Sequence, residues 1–357
     1  MTNRFFSVTE LILGLLVWLA AAFLVAESRW SRLYEKPALA AGDTVELYLP
    51  EQTDGKGLVR TLNEEGILRS EEEFNWALQT LHWSTFKEGR YQLQEGISYE
   101  EILSKLGNGI QDPMRVTILA GQPKSRFIRK VSEAFRFDST ALKQTLSDSS
   151  LLARAGVDTQ RVIGRLYPAT YDFYWTATPE EVIMRILDTF EDQIITEYEE
   201  RFKELDKSVN EIITMASIIE WEANVESEKD TISGLYWNRL ERGMKLQADP
   251  TVNYAVGERR RLLYQDYKVE HPYNTYIYAG LPPGPITNPS KSSIRAALFP
   301  TDHDYLYMVA SPDRNHGFSE TYSEHQRKSA EWREWLEEQY RIKREREEGR
   351  EEGNGSG

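Results

Sequence analysis

Two glutamates, Glu220 and Glu222, close the segment Ala216-Ser217-Ile218-Ile219-Glu220-Trp221-Glu222. Read at about 100° per residue, Val209, Ile212, Ala216, Ile219 and Ala223 share a helix arc of roughly 80°. Ile213 widens that arc to about 120°, and Glu220 lies just inside it. A glutamate on a core-facing position is usually paired or functional. Desolvation there raises a carboxyl pKa, which is what a general acid working near neutral pH requires. Glu220 is therefore the expected proton donor. A buried ion pair, for instance with Arg239, is the competing structural use of the same position. Glu222 projects about 200° away from Glu220, so the two cannot form a facing carboxylate pair. Its expected place is at the rim of the site or behind it.

Three later segments carry amides, hydroxyls and rings on loops fixed by proline and glycine. They are Asn238-Arg239-Leu240 with Gly243 to Tyr254, then Pro272-Tyr273-Asn274-Thr275-Tyr276, then Gly280-Leu281-Pro282-Pro283-Gly284-Pro285-Ile286-Thr287-Asn288-Pro289. Such groups hydrogen-bond to sugars and stack on them. Each segment also has a plain structural use. Asp249-Pro250 can open a turn or helix, Leu-Pro-Pro-Gly-Pro can be a stiff connection, and Asn238 and Arg239 can cap and pair locally.

Composition removes other chemistries. The chain has 357 residues and a formal charge of −14, which argues against a non-specific grip on nucleic acid. It contains no cysteine, so disulfides, thiolate metal sites and cysteine nucleophiles are excluded. Its five histidines, His82, His271, His303, His316 and His325, show no metal-ligand spacing, and His316 is expected at the surface. There is no Walker loop and no G-x-G-x-x-G after a strand. Neither a metal nor a cofactor is expected.

The elements that must position these groups begin with an apolar run. Residues 8–26 are apolar except for Thr9 and Glu10. As a helix they span about 24–28 Å, close to a thin hydrocarbon core. A single transmembrane anchor after a short cytoplasmic tail, 1–7, is the preferred reading, and a cleaved signal peptide the alternative. Charge gives no support for an exported domain, because Arg4 alone precedes the run while Arg29, Arg32 and Lys36 follow it. Residues 27–42 read as a linker. Over 43–112 a strand at Val45 to Leu49, helices at Leu58 to Gly66 and Glu71 to Leu81, a strand from Gly89 and a capping-box helix after Ser98 make a small α+β module. Beyond Val116 to Leu119, a further strand, helices are expected at Gln122 to Thr145, Pro179 to Phe202, Asn210 to Ala223, Glu228 to Arg242 and, capped by Asn288, up to Leu298. Asp304 to Ala310 alternates as a strand. Glu320 to Arg344 reads as helix. Residues 331–357 form a charged helix and a tail expected to be disordered. The fold class is α+β, with a mixed α+β domain over 113–330.

Taken in series, the motifs are far more specific than singly. Ala-Ser-Ile-Ile-Glu-x-Glu from Ala216, Asn-Arg-Leu from Asn238, Met-Lys-Leu-Gln-x-Asp-Pro-Thr-Val from Met244, Tyr-Asn-Thr-Tyr from Tyr273 and Gly-Leu-Pro-Pro-Gly-Pro-Ile from Gly280 stand in one order. The chain resembles the endolytic murein transglycosylases of the MltG/YceG type, from the N-terminal run to about Ser329. The early module, with Gly89-Arg90-Tyr91 and Gly96-Ile97-Ser98, is similar to that family's LysM-like domain. The resemblance implies cleavage of the β-1,4 bond between N-acetylmuramic acid and N-acetylglucosamine within glycan strands, with 1,6-anhydromuramyl ends and no water consumed. It implies that Glu220 matches the family's acid, and that peptidoglycan strands, the inner membrane and nearby peptidoglycan synthases are the partners. Gln247, Asn274 and Tyr276 are the expected substrate hydrogen-bonding groups, joined by Asn238, Asp249 and Glu222 around the site. Two departures from the family pattern stand out: Pro168-Ala169-Thr170-Tyr171 lacks an acid often found there, and Trp221 replaces a frequent Lys or Arg, which would alter the groove rim. A hydrolytic muramidase and a non-catalytic peptidoglycan-binding scaffold are the alternatives.

Overall fold

The computed structural model describes residues 7–354 apart from 41, 43, 224 and 314. It divides into two compact units, Met1–Arg115 with Asp172–Ala177, and Val116–Tyr171 with Thr178–Gly357.

In the first unit, α1 (Val8–Tyr34) opens on a Ser7/Glu10 capping box. Its apolar window is wholly exposed, and the helix is long and apolar enough to cross a membrane. The helix runs eight residues beyond the expected span, into the stretch read as a linker. No proline or glycine lies between Ala26 and Pro37, and the residue before a proline disfavours helical geometry. The chain after it is tied down rather than loose: Ala38 N–H donates to Ile97 O at 2.8 Å and Ala40 N–H to Ile67 O at 2.9 Å.

Strands β1 (Val45–Leu49) and β4 (Gly89–Leu93) pair antiparallel, Val45 opposite Leu93 and Leu49 opposite Gly89. Leu47, Leu49, Tyr91 and Leu93 turn inward onto Leu58 and Leu62 of α2 (Gly55–Glu64), Phe74 and Ala77 of α3 (Glu71–Leu81), and Ile102, Leu103 and Leu106 of α4 (Tyr99–Asn108). Asp54, Ser70 and Ser98 cap the three helices through their side chains. A second ribbon, β2 (Thr53–Asp54) with β3 (Thr85–Phe86), went unanticipated, since two residues carry no periodicity. So did the contribution of Asp172–Ala177. The chain leaves this unit within β5 (Met114–Thr117) and returns to it within β6 (Thr170–Phe173).

The second unit is mostly helical. The stretch expected as one helix from Gln122 is two, α5 (Lys124–Ser132) and α6 (Ser139–Thr145), because Asp138 starts a new helix by accepting from Ala141 N–H. Asp148 likewise starts α7 (Ser149–Arg154). The next expected helix breaks into α8 (Pro179–Phe190), a π-turn at Glu191–Thr196 and α9 (Glu199–Glu204).

At the centre stands α10 (Val209–Glu222), packed on α11 (Lys229–Glu241), α12 (Asp249–Val256) and α13 (Lys291–Leu298). Every residue from Ile212 to Ile219 is buried, so α10 is covered on all sides rather than along one stripe. Gly164 permits part of that covering, since a Cβ there would lie 2.4 Å from Pro285 and 2.7 Å from Ile213. α13 starts at Lys291, capped by Ser290, and not at Asn288. The Asn288 amide is already committed: Oδ1 accepts from Gln122 N–H, and Nδ2 donates to Leu119 O and Leu166 O. Strand β7 (Tyr307–Ala310) pairs antiparallel with β8 (His316–Ser319). α14 (Tyr322–Asn354) continues through most of the tail expected to be disordered, carrying i,i+4 pairs such as Arg341–Glu345 and Lys343–Glu347.

Candidate active site

The C-terminal turn of α10 sends its two carboxylates to different places. Glu220 faces the N-terminus of α13. Its Oε2 accepts from Ser290 N–H at 3.0 Å, Ser290 Oγ–H at 2.5 Å and Ser293 Oγ–H at 2.6 Å, with Lys229 Nζ at 3.8 Å. A carboxylate suits that place, where the free amides and the helix dipole favour negative charge. The ion pair with Arg239 weighed from sequence is not formed; Lys229 is the neighbouring cation. Trp221 turns inward instead of forming a rim, donating from Nε1 to Gly121 O at 2.9 Å and lying under the Arg259 guanidinium.

Glu222 lines a cavity of about 360 Å³ together with Arg239, Gln247, Asp249, Tyr276, His316 and His325. The walls come from α10, α11, the Met244–Asp249 loop, the Tyr273–Tyr276 turn, the β7–β8 hairpin and the first turns of α14. Glu222 Oε2 and the Tyr236 hydroxyl are both out of solvent, and each side chain acts on the other. Burial first, and then the negative charge of Asp249, push the Glu222 carboxyl up to about 7, against the opposing influence of Tyr236 and Arg239. Among the described carboxylates with a resolved shift, Glu222 is the one raised rather than lowered.

Asp249, the first residue of α12, is clamped by two phenols: Tyr276 Oη–H donates to Oδ1 at 2.7 Å and Tyr267 Oη–H to Oδ2 at 3.3 Å. Burial and that carboxylate raise both phenols, Tyr267 to about 12 and Tyr276 further, so both stay donors. Gln247 reaches the cavity from a left-handed backbone, φ 50°, held by Gln247 N–H to Thr275 O at 3.2 Å. Such a conformation is uncommon for a residue other than glycine and persists only where the surroundings enforce it. The enforcement comes from Thr275 and from Arg239. Thr275 Oγ1 accepts from Ala248 N–H and bonds Thr251 Oγ1. Buried Arg239 donates to Leu306 O, Leu246 O, Lys245 O and Gln247 Oε1.

Of the residues expected around the site, Gln247, Asp249, Tyr276 and Glu222 line the cavity. Asn274 does not. It is fully buried, its Nδ2 donating to Tyr267 O and Val269 O while its Oδ1 accepts from Tyr276 N–H, so it shapes the turn that carries Tyr276. Asn238 lies elsewhere, donating to His303 O at 2.6 Å and Tyr305 O at 3.3 Å. His316 is not a surface group: its ring is nearly buried, with Glu228 Oε2 at 3.0 Å from Nδ1. Sequence reading missed His325, the Met308–Ala310 wall and Tyr236 altogether. The pairing of β7 with β8 that brings His316 in is a long-range fact, and only the alternation of β7 was visible locally.

A protonatable acid in a cleft walled by an arginine, a phenol-clamped carboxylate and amides defines an acid–base site of the kind that acts on polar, hydroxylated substrates. The chain belongs to the YceG-like family, whose pattern it matches over residues 47–331. It is 29% identical over 323 residues to an endolytic murein transglycosylase of Bacillus subtilis, covering 86% of this chain and 89% of that protein. It is also 29% identical to an endolytic murein transglycosylase of Streptococcus pneumoniae over 295 residues, which are 73% of this chain and 53% of that one, so it spans about half the length of the pneumococcal relative. The crystal structure of a YceG-like protein from Listeria monocytogenes superposes with a TM-score of 0.57 at 29% identity, over 80% of this chain and 98% of that one.

Proposed function

We propose that this protein is a membrane-anchored endolytic peptidoglycan lytic transglycosylase. It cleaves the MurNAc-β-1,4-GlcNAc bond within glycan strands, leaves 1,6-anhydroMurNAc ends and so limits strand length as wall is made. The observation that carries this reading is Glu222: a desolvated carboxyl pushed up to about 7 in a polar cavity, in a chain whose relatives bear that activity in their names.

Glu222 in its protonated form donates to the glycosidic oxygen. Positive charge develops at C1 of the muramyl residue. The Glu222 carboxylate then accepts the proton of the C6 hydroxyl as that oxygen closes on C1. One residue serves as acid and then base, so no second carboxylate nucleophile is required, unlike ordinary glycosidases. Gln247, Arg239 and the Tyr276–Asp249 pair hold the sugar. General acid–base catalysis supplies about 10²–10⁴-fold, and positioning the rest. Glu220, expected from the helix-face pattern to be the acid, is the group that fixes α13 against α10. The all-round burial of α10 supports this division, because on such a helix a face pattern no longer singles out a functional position.

The apolar helix α1 anchors the protein in the cytoplasmic membrane with the following domains in the wall space, and the first unit over 43–112 is the LysM-like module. Peptidoglycan synthases at the same membrane are its neighbours. A hydrolytic muramidase would need Asp249 to activate a water, whereas here Tyr276 and Tyr267 each donate to one of its oxygens and fix the carboxylate in place. Digestion of purified sacculi, followed by product mass, tests the proposal. Anhydro ends weigh one water less than reducing ends. Reducing ends from the wild type, or undiminished cleavage by Glu222→Gln, would refute it.

A further inference from the structure

The cavity that holds Glu222 lies at the end of α10. A second cavity, of about 450 Å³, lies at the start of that helix, where Val209 lines it. Along the helix axis the two are about 20 Å apart. Leu187, Ile195 and Val209 give the second cavity apolar walls, and the exposed carboxylates of Asp188 and Glu191 also line it. Glu191 and Ile195 belong to the π-turn, a rare geometry that recurs at functional sites. The volume falls in the range of small-ligand sites, about 300–1,000 Å³.

The buried charge of this cavity is Arg165, at the end of the short 3₁₀ turn Val162–Arg165 and 9% exposed. Its Nε is out of solvent with no hydrogen-bond partner among the described residues, and its bond from Nη2 to Asn210 Oδ1 is long, 3.4 Å. The centre of the guanidinium lies 5.3 Å from the centroid of the Phe190 ring. Burial pushes the guanidinium pKa down, and Glu191 and Asp158 oppose that through charge alone. A buried arginine is rarely left with an open donor and no paired carboxylate. The other cation of the cavity, Arg154, is already paired with Glu180 at 2.9 Å.

A buried cation, apolar walls and exposed acids impose an order on a ligand: carboxylate inward, small apolar groups next, ammonium outward. A glycan has no such order. The stem peptides of peptidoglycan have it, since a diamino acid is followed by D-alanine with a free carboxylate. We propose that this cavity binds the free C-terminus of a stem peptide, its carboxylate on Arg165, its alanyl methyls on Leu187, Ile195 and Val209, and its ammonium at Asp188 and Glu191. The choice of peptide rests on the transglycosylase reading, and the site gives the protein a second hold on the wall polymer, away from the acid.

The test is calorimetric titration of the full chain, held in detergent, with Nα-acetyl-L-lysyl-D-alanyl-D-alanine, its C-terminal amide, its Nε-acetyl derivative and inorganic phosphate. The tripeptide acid should bind, and the amide about 10-fold or more weakly, since the charge-assisted contact to the guanidinium is lost. Acetylating the ammonium should cost about 3-fold, because exposed carboxylates contribute little. Phosphate has nothing for the apolar walls and should not displace the tripeptide at equal concentration. Arg165→Met should lose the preference for acid over amide while its melting temperature holds or rises, because an unpaired buried charge does not stabilise the fold. Absent binding, equal binding of acid and amide by wild type, or an unchanged preference in Arg165→Met would overturn the proposal. Displacement by phosphate at equal concentration would mark a bare anion hole and overturn it too. The wild-type comparison decides by itself if Arg165→Met folds poorly. Binding is read without cleavage, and Glu222→Gln should bind the tripeptide as wild type does, so loss of the acid assignment and loss of the peptide site show separately.

Discussion

Glu220 and Glu222 stand two residues apart on α10 and end in opposite chemical surroundings: Glu220 accepts three hydrogen bonds at the start of α13, whereas Glu222 has an oxygen buried in the cavity, with Tyr236 and Asp249 as the groups that act on it. An acid must release its proton to substrate and take one back. A carboxylate that accepts three hydrogen bonds at a helix N-terminus is held in place. The geometry therefore assigns structure to Glu220 and chemistry to Glu222, and the two assignments separate by experiment.

Glu220→Gln should cost stability and spare cleavage. The substitution keeps an acceptor but removes the charge from bonds to Ser290 and Ser293 and leaves Lys229 less balanced, a loss of about 1.5–3 kcal/mol for charge-assisted hydrogen bonds. Thermal melting should show the drop, and the folded fraction should cut within a few-fold of wild type. An inactive Glu220→Gln with an unchanged melting temperature would return the acid role to Glu220.

The pH dependence of Glu222 runs in the opposite sense to that of a salt-bridged carboxylate. Its folded pKa, about 7, lies above the ordinary 4.5. Between these values the native state binds more protons than the unfolded state, so stability falls as pH rises through that window and levels off above it. Full expression of the shift is on the order of 3 kcal/mol. Glu222→Gln removes the titration. That variant should be inactive yet more stable than wild type at pH 8, with the two converging near pH 4.5. Wild-type cleavage should fall about tenfold per pH unit once the donor deprotonates above 7. Denaturant melts at several pH values check the first part and initial rates the second. A stability difference independent of pH would contradict the buried-acid account.

Much of this arrangement was legible in the chain, and the failures have identifiable causes. The cap at Ser98 read correctly because a side chain bonding its own helix is a local event. Two of the motif loops meet in space, since Gln247, Asp249 and Tyr276 line one cavity. A helix-face pattern alone does not choose between Glu220 and Glu222. The 100° periodicity assumes a helix with one wet side, and α10 has none between Ile212 and Ile219. What decides is the neighbour at the helix end, Ser290 for one glutamate and Tyr236 with Asp249 for the other. These lie 70, 14 and 27 positions away. Asn274 and Asn238 misled for a related reason, because an amide that satisfies backbone carbonyls in a turn has the same sequence signature as one that meets a sugar.

Tyr276→Phe isolates the clamp on Asp249. The 2.7 Å bond from the phenol to Oδ1 is lost, leaving a carboxylate at the cavity wall with only Tyr267 at 3.3 Å. The cost to folding should be about 1–3 kcal/mol, the range for a hydrogen bond to a charged acceptor. The effect on chemistry should be a drop in kcat/KM of about 10-fold or more, if the phenol also steadies the sugar. A less constrained Asp249 could also activate water, so reducing ends should appear among the products. Product mass reads that directly. Exclusively anhydro ends at an unchanged rate would show the clamp to be irrelevant to the reaction.

Arg239→Lys tests whether the cavity wall depends on the planar fork of the guanidinium. Arg239 donates to three carbonyls, Leu306 O at 2.5 Å, Leu246 O at 2.8 Å and Lys245 O at 3.3 Å, and also reaches Gln247 Oε1 at 3.4 Å. A lysine keeps the charge but gathers its donors on one nitrogen, which cannot occupy the places of both Nε, on Leu306 O, and Nη1, on Leu246 O and Lys245 O. At least one buried carbonyl would lose its partner, at a cost of about 1–3 kcal/mol. The left-handed turn at Gln247 would lose one of its two restraints. Melting temperature should therefore fall and KM for glycan rise, with the Glu222-dependent pH profile shifted only slightly because Arg239 opposes the raised carboxyl less than burial and Asp249 raise it. A variant with wild-type KM would show that Gln247 is held without Arg239, and that the Thr275 contacts alone keep the loop in place.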